Sequence, residues 1–252
     1  MEILRNASEA KARFRSCRAA GESLGFVPTM GSLHPGHLSL VERSVRENDR
    51  TAVSIFVNPT QFDDPDDLEG YPRDYEADQK LLDDTEADIL FFPEARELYA
   101  DEYRYRLTEG ELSRVLEGAH REGHFDGVLT VVMKLLCIVG PDRAYFGEKD
   151  WQQYKLIAGM AEAFFLDVEI VPCPLIREPD GLAMSSRNSL LTPEERKIAP
   201  LFHRVLSGGG DVISMKRALQ ANFDVDYVER RSGRVLGAVR LGKVRLIDNV
   251  RE

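Results

Sequence analysis

Cysteine is scarce in this chain: only Cys17, Cys137 and Cys173 occur in 252 residues. The number is odd and no pair is spaced as CxxC, so neither a disulfide framework nor a zinc site is indicated. Sparing use of thiols fits a reducing compartment, and a cytoplasmic protein is expected. Long apolar runs are missing too. No stretch approaches the roughly 18 apolar residues of a membrane span, and the N-terminus carries Glu2, Arg5 and Glu9 where a signal peptide would be apolar. Basic charge is in deficit, with 33 Lys and Arg against 43 Asp and Glu and a net charge of −10. That balance argues against a nucleic-acid surface. Neither nucleic acid nor membrane is expected as a partner.

What is present is enough apolar material for a proper core, 43% of the residues. Its spacing alternates between two periods. Ala10, Phe14 and Cys17 fall at helical intervals, Leu24–Val27 is a short apolar run before Pro28, and Leu38, Val41 and Val45 are helical again. Thr51–Val57 is β-branched and stops at Asn58-Pro59. Tyr75–Leu82 reads as helix, Ile89–Phe92 as strand, and Phe125–Val139 as a helix with an apolar stripe that includes Cys137. Arg143–Phe146, Trp151–Phe165 and Val168–Val171 read as strand, helix and strand. Alternation of this kind predicts parallel βαβ units and a Rossmann-like, doubly wound α/β sheet, with ligands beyond the carboxyl ends of the strands. The character changes near Arg177. Thr192-Pro193-Glu194-Glu195 is a capping box with proline at the first helical position. Gly208-Gly209-Gly210 then breaks the chain, and short strands at Asp226–Glu229 and Val244–Ile247 follow. We expect a nucleotide-binding domain over 1–176 and a small α+β domain over 177–252.

The turn Pro28-Thr29-Met30-Gly31-Ser32-Leu33-His34-Pro35-Gly36-His37 joins a buried strand to a helix. Pro35 suits the first helical turn, and Gly31 and Gly36 allow a ligand close to the backbone. A helix N-terminus attracts phosphate. His34 and His37 are three residues apart and project to one side, so both can donate hydrogen bonds to developing charge. The plainer alternative is that one histidine caps the helix and the other packs.

His34-Pro35-Gly36-His37 resembles the HIGH signature of nucleotidyltransferases and class I aminoacyl-tRNA synthetases. The longer string GFVPTMGSLHPGHLSLVE is more specific and resembles the pantothenate synthetase (pantoate–β-alanine ligase) family. Four further segments agree in order: SIFVNPTQF at 54–62, HFDGVLTVV at 124–132, GEKDWQQ at 147–153 and MSSRN at 184–188. The resemblance covers roughly residues 20–200 and implies ATP-dependent joining of pantoate to β-alanine through a pantoyl adenylate, with Mg2+ accompanying ATP and a homodimeric protein.

It also implies site residues. His34, His37, Lys149, Ser185 and Arg187 would act on the triphosphate. The nucleotide would further meet Pro28, Thr29, Met30 and Gly31 on the first turn. Gly147 and Asp150, and then Met184 and Ser186, would complete that set. Pantoate would meet Met30, Asn58, Gln61 and Gln153, whose neutral amides suit a small hydroxy acid. Asn58 also fits plain turn chemistry, Asp150 a helix cap, and the serines a linker. Asp78, next to Tyr71-Pro72-Arg73, is the expected Mg2+ ligand, whereas the acidic run Asp63–Glu69 reads as a solvated loop. His120 and His203 read as structural. A different nucleotidyltransferase of this fold, or an inactive ATP-binding module, remains an alternative. The C-terminal part looks short for the family, with trimmed elements between Glu229 and Val239, which bears on how a lid would close over the adenylate.

Overall fold

Successive residues of a strand face opposite sides, so a strand that is apolar at every position must be covered on both. In the computed structural model, which describes all 252 residues, six strands form one sheet, and its central strands are buried on both faces. The six are β1 (Glu2–Leu4), β2 (Leu24–Thr29), β3 (Arg50–Ile55), β4 (Ile89–Phe91), β5 (Arg143–Gly147) and β6 (Glu169–Cys173). Their order is β1-β4-β3-β2-β5-β6 and every pairing is parallel. Phe26, Ala52, Ile89 and Phe146 enter one core, against Phe14, Leu129 and Ile157 of the helices Ala7–Ala19, His124–Val139 and Trp151–Ala163. Their chain neighbours Val27, Val53, Leu90 and Tyr145 enter a second core, against Val41 and Leu82 of the helices Pro35–Glu47 and Tyr75–Asp83. The expected doubly wound α/β fold is therefore present. β1 was not anticipated, because three residues at a sheet edge, two of them exposed, carry no readable period.

The chain divides into two compact units. The first comprises Met1–Leu33, His37–Gly147 and Gln152–Cys173 and contains the parallel sheet. Within it β2 lies between β3 and β5. The chain proceeds from β2 to one side and returns to the other, which makes the carboxyl ends of β2 and β5 the topological switch point.

The second unit comprises His34–Gly36, Glu148–Trp151 and Pro174–Glu252. It holds an antiparallel meander of β7 (Asp224–Arg231), β8 (Arg234–Leu241) and β9 (Val244–Arg251). Phe202, Leu206, Leu219, Val228, Val235 and Val239 form its core. The capping box at Thr192 is complete, with both reciprocal bonds to Glu195. The strands are longer than the four-residue segments expected: each has eight residues. They are joined by the two-residue turns Ser232-Gly233 and Gly242-Lys243, with positive φ at Ser232, Gly233 and Gly242. Tight turns of that handedness match strand twist, so the meander needs no longer links. Cys137, placed on the apolar stripe from sequence, is in fact exposed.

Phe202 is 1% exposed and packs against Gly237, where an added Cβ would approach its ring to 3.1 Å. Phe202→Ala is expected to cost about 3–5 kcal/mol, seen as a lower urea midpoint for the second unit. A loss below about 1 kcal/mol would contradict this packing.

Candidate active site

The turn leaving β2 is held entirely by polar contacts of the first unit. Thr29 Oγ1 donates to the Ser54 carbonyl (2.7 Å) and accepts from the Gly31 N–H (3.2 Å). Gly31 and Ser32 then adopt φ of +82° and +51°. That bend aims the N–H groups of Ser32 and Leu33 at Asp78, whose two carboxylate oxygens accept them at 2.8 and 2.6 Å. A Cβ at residue 31 would stand 2.8 Å from Asp78 Oδ2, so glycine is required there both for φ and for space.

This geometry gives Asp78 a structural role. The side chain is 3% exposed, and both oxygens are committed to the backbone. Burial pushes its pKa up, opposed by the bonds from Leu33 and Ser32. No group of three or more His, Cys, Asp or Glu is arranged to hold a metal ion. Asp78 clamps the turn through both oxygens, and each oxygen keeps a further lone pair.

Beyond β3 the chain makes a short turn, Pro59–Gln61. Asn58 is fully buried. Its Nδ2 donates to Gln61 Oε1 (3.1 Å) and the Gly127 carbonyl (3.2 Å). Its Oδ1 accepts from Tyr99 OH (2.8 Å) and Thr60 Oγ1 (3.1 Å). These four bonds use the capacity of the amide, so Asn58 orients Gln61 and does not itself face a ligand, contrary to expectation. Gln61 Nε2 is left with Met30 Sδ at 3.1 Å, and sulfur is a weak acceptor that an oxygen readily replaces. Gln153 is half-buried in the first turn of its helix. Its neighbour Gln152 is structural, accepting from the Glu117 N–H and donating to the carbonyls of Leu112 and Val115.

Sequence reasoning gave His124 no individual role. Its Nδ1–H donates to the Gln61 carbonyl at 2.7 Å, and its Nε2 lies 3.2 Å from Arg121 Nη1. Burial, and then the charge of Arg121, lower its pKa to about 4. A neutral imidazole with the proton on Nδ1 therefore pins the Gln61 turn. The signal was available in His124-Phe125-Asp126-Gly127, since a Cβ at Gly127 would collide with the Thr60 carbonyl.

The second unit supplies the other groups. His34 Nδ1 accepts the Gly36 N–H at 3.1 Å, capping the first helical turn of Pro35–Glu47. Burial first, then the charge of Lys149, lower the His34 pKa to about 4, with Asp150 opposing. With Nδ1 accepting, a neutral ring carries its proton on Nε2, so the capping and donating readings of His34 are compatible. Lys149 and Asp150 sit on the short turn Glu148–Asp150, with Nζ 3.7 Å from Asp150 Oδ1. Ser185 caps the turn Ser186–Leu190 by accepting the Arg187 N–H at 3.3 Å. Met184 lies near His34, since both border the space at Gly36.

The expected nucleotide residues are thus divided. Pro28, Thr29, Met30, Gly31, His37 and Gly147 belong to the first unit, and His34, Lys149, Asp150, Met184, Ser185, Ser186 and Arg187 to the second. A doubly wound parallel sheet whose switch-point strands run into a neutral histidine and a lysine defines a nucleotide-handling α/β protein. Comparison makes this specific. The family model described as Pantoate-beta-alanine ligase matches residues 2–251, and the chain belongs to that family. It is 51% identical over 250 residues to the pantothenate synthetase of Bdellovibrio bacteriovorus, spanning 99% of this chain and 98% of that one. It is 48% identical to that of Legionella pneumophila (strain Corby), spanning 99% of each. The shortness of the C-terminal part is therefore shared with these two relatives. Among solved structures it resembles the pantoate–β-alanine ligase of Francisella tularensis complexed with β,γ-ATP and β-alanine (TM-score 0.95, 39% identity, 100% of this chain and 97% of that one). It also resembles the pantothenate synthetase of Thermus thermophilus (TM-score 0.91, 42% identity, 100% and 99%).

A lowered histidine pKa has a definite sign. The unfolded chain binds a proton near pH 6.5, and folded His34 only near 4. His34 therefore contributes stability that is intact above pH 6.5 and is lost as pH falls toward 4. In the ATP-free protein its ring resonances are expected to stay those of the neutral form from pH 8 to 5. Titration near 6.5 would contradict the environment described.

Proposed function

We infer that the chain condenses pantoate with β-alanine, using ATP and passing through a pantoyl adenylate. The match of residues 2–251 to the ligase family carries this reading. In the first step a pantoate carboxylate oxygen attacks the α-phosphorus of ATP, and the bond to pyrophosphate breaks. In the second the amine of β-alanine attacks the acyl carbon, the bond to AMP breaks, and the nitrogen gives its proton to solvent. Both steps are matters of positioning and charge stabilisation.

The residue roles follow from the chemistry of each side chain. The Nε2–H of neutral His34 donates to phosphate oxygen, and a neutral donor keeps its proton as negative charge grows. Lys149 supplies the fixed cation at the α-phosphate, and His37, Ser185, Ser186 and Arg187 hold the outer phosphates. Thr29, Met30, Gly31, Gly147 and Met184 lie along the nucleotide, Pro28 supports that stretch, and Asp150 takes the ribose hydroxyls. Gln61 exchanges its bond to Met30 sulfur for one to pantoate, and Gln153 holds the other end of that substrate. Asn58 and His124 fix Gln61. Mg2+ enters as the counter-ion of ATP, and no step is assigned to a protein-held metal. The working form is proposed to be a cytoplasmic homodimer.

Two outcomes test these roles. His34→Ala should lower pantoate-dependent ATP–pyrophosphate exchange about 100- to 1,000-fold, the effect of removing one preorganised donor, while the fold persists. An unaltered rate would sink the assignment. Gly127→Ala should displace the Thr60–Gln61 backbone, raising the pantoate KM at least about tenfold with little change for ATP, at a stability cost of about 1–3 kcal/mol. Equal effects on both KM values would argue against a separate pantoate pocket.

A further inference from the structure

The last strand of the second unit reaches the turn that carries Lys149. Asn249 on β9 is 4% exposed. Its Nδ2 donates to two consecutive main-chain carbonyls, Glu148 (2.9 Å) and Lys149 (3.1 Å). Its Oδ1 accepts from Arg234 Nη1 on β8 at 2.5 Å. The same guanidinium donates through Nη2 to Glu148 Oε1 at 2.5 Å, and Arg251 Nη2 meets both oxygens of that carboxylate at 2.9 and 2.8 Å. Residues 148 and 149 are therefore held by main chain and side chain together, from two strands far away in sequence. A short helical turn has few bonds of its own to fix it, so these external bonds set where it stands.

We propose that Asn249, backed by Arg234, is a positioning residue for Lys149 in adenylate formation. The proposal rests on the role given to Lys149 above and extends it to a strand that touches no reacting atom. Lys149 already lowers the His34 pKa by its charge, so the two groups are close enough to sense each other. Letting the 148–149 backbone drift would weaken that coupling and misplace the cation. A displacement of about 1 Å at such a site is worth up to about 100-fold in rate.

The test is a double-mutant cycle on pantoate-dependent ATP–pyrophosphate exchange in the full-length protein, with the His34 titration followed by NMR. Asn249→Asp is isosteric and keeps an oxygen for Arg234, but turns two donations into repulsion. Asn249→Ala serves as the second variant should the first not fold. Either should reduce kcat at least about tenfold and raise the His34 pKa. In a Lys149→Ala background the Asn249 substitution should bring no further loss, because the path through Lys149 is already gone. Independent, multiplying losses, or an unmoved His34 titration, would make Asn249 a merely structural residue and overturn the proposal. A Lys149→Ala enzyme as fast as the parent would instead remove the role of Lys149, and this inference with it.

Discussion

One buried carboxylate governs the site. Asp78 receives two consecutive backbone N–H groups from the turn after β2, and hydrogen bonds to a charged group are each worth about 1.5–3 kcal/mol. The turn includes a serine with positive φ, a conformation that costs free energy unless the surroundings enforce it. Asp78 enforces it, and so fixes the point at which the chain runs into His34 and the following helix. A carboxylate that looks free in the sequence thus also shapes the turn.

Two histidines repeat one physical device with opposite tautomers. His34 and His124 both have pKa values lowered to about 4 by burial, each with a cation as the next cause. His34 accepts through Nδ1 and so offers Nε2–H, whereas His124 offers Nδ1–H to a carbonyl. Neither changes protonation near neutrality. His34 thereby keeps its proton on Nε2, and His124 is a peg beneath the Gln61 turn. The Asn58 amide completes that support, leaving Gln61 Nε2 on a weak sulfur acceptor.

Much of this was legible in the sequence, and for physical reasons. Runs such as Phe26-Val27 and Leu90-Phe91 are apolar at both parities, which only a sheet covered on two sides permits. Side-chain identity at His34, Lys149 and Arg187 announced phosphate chemistry, and the flanking strings narrowed it to one family. What the sequence left open was direction and partner. Nothing local distinguishes an Asp78 facing a metal from one facing two N–H groups, or an Asn58 facing a ligand from one holding its neighbour. The C-terminal strands looked shorter than they are because two-residue turns leave almost no loop composition to read. Asn249 lies beyond the strand read at Val244–Ile247, and its link to Glu148 and Lys149 spans about 100 residues, so nothing local announced it.

The central claim is that acyl activation and amide formation are separate steps on one enzyme. The direct measurement is product release from ATP with Mg2+, omitting pantoate and β-alanine in turn. With pantoate alone the account predicts an enzyme-bound adenylate and one equivalent of pyrophosphate, and with both substrates steady AMP and pantothenate. Pyrophosphate release that requires β-alanine, or that proceeds without pantoate, would contradict it.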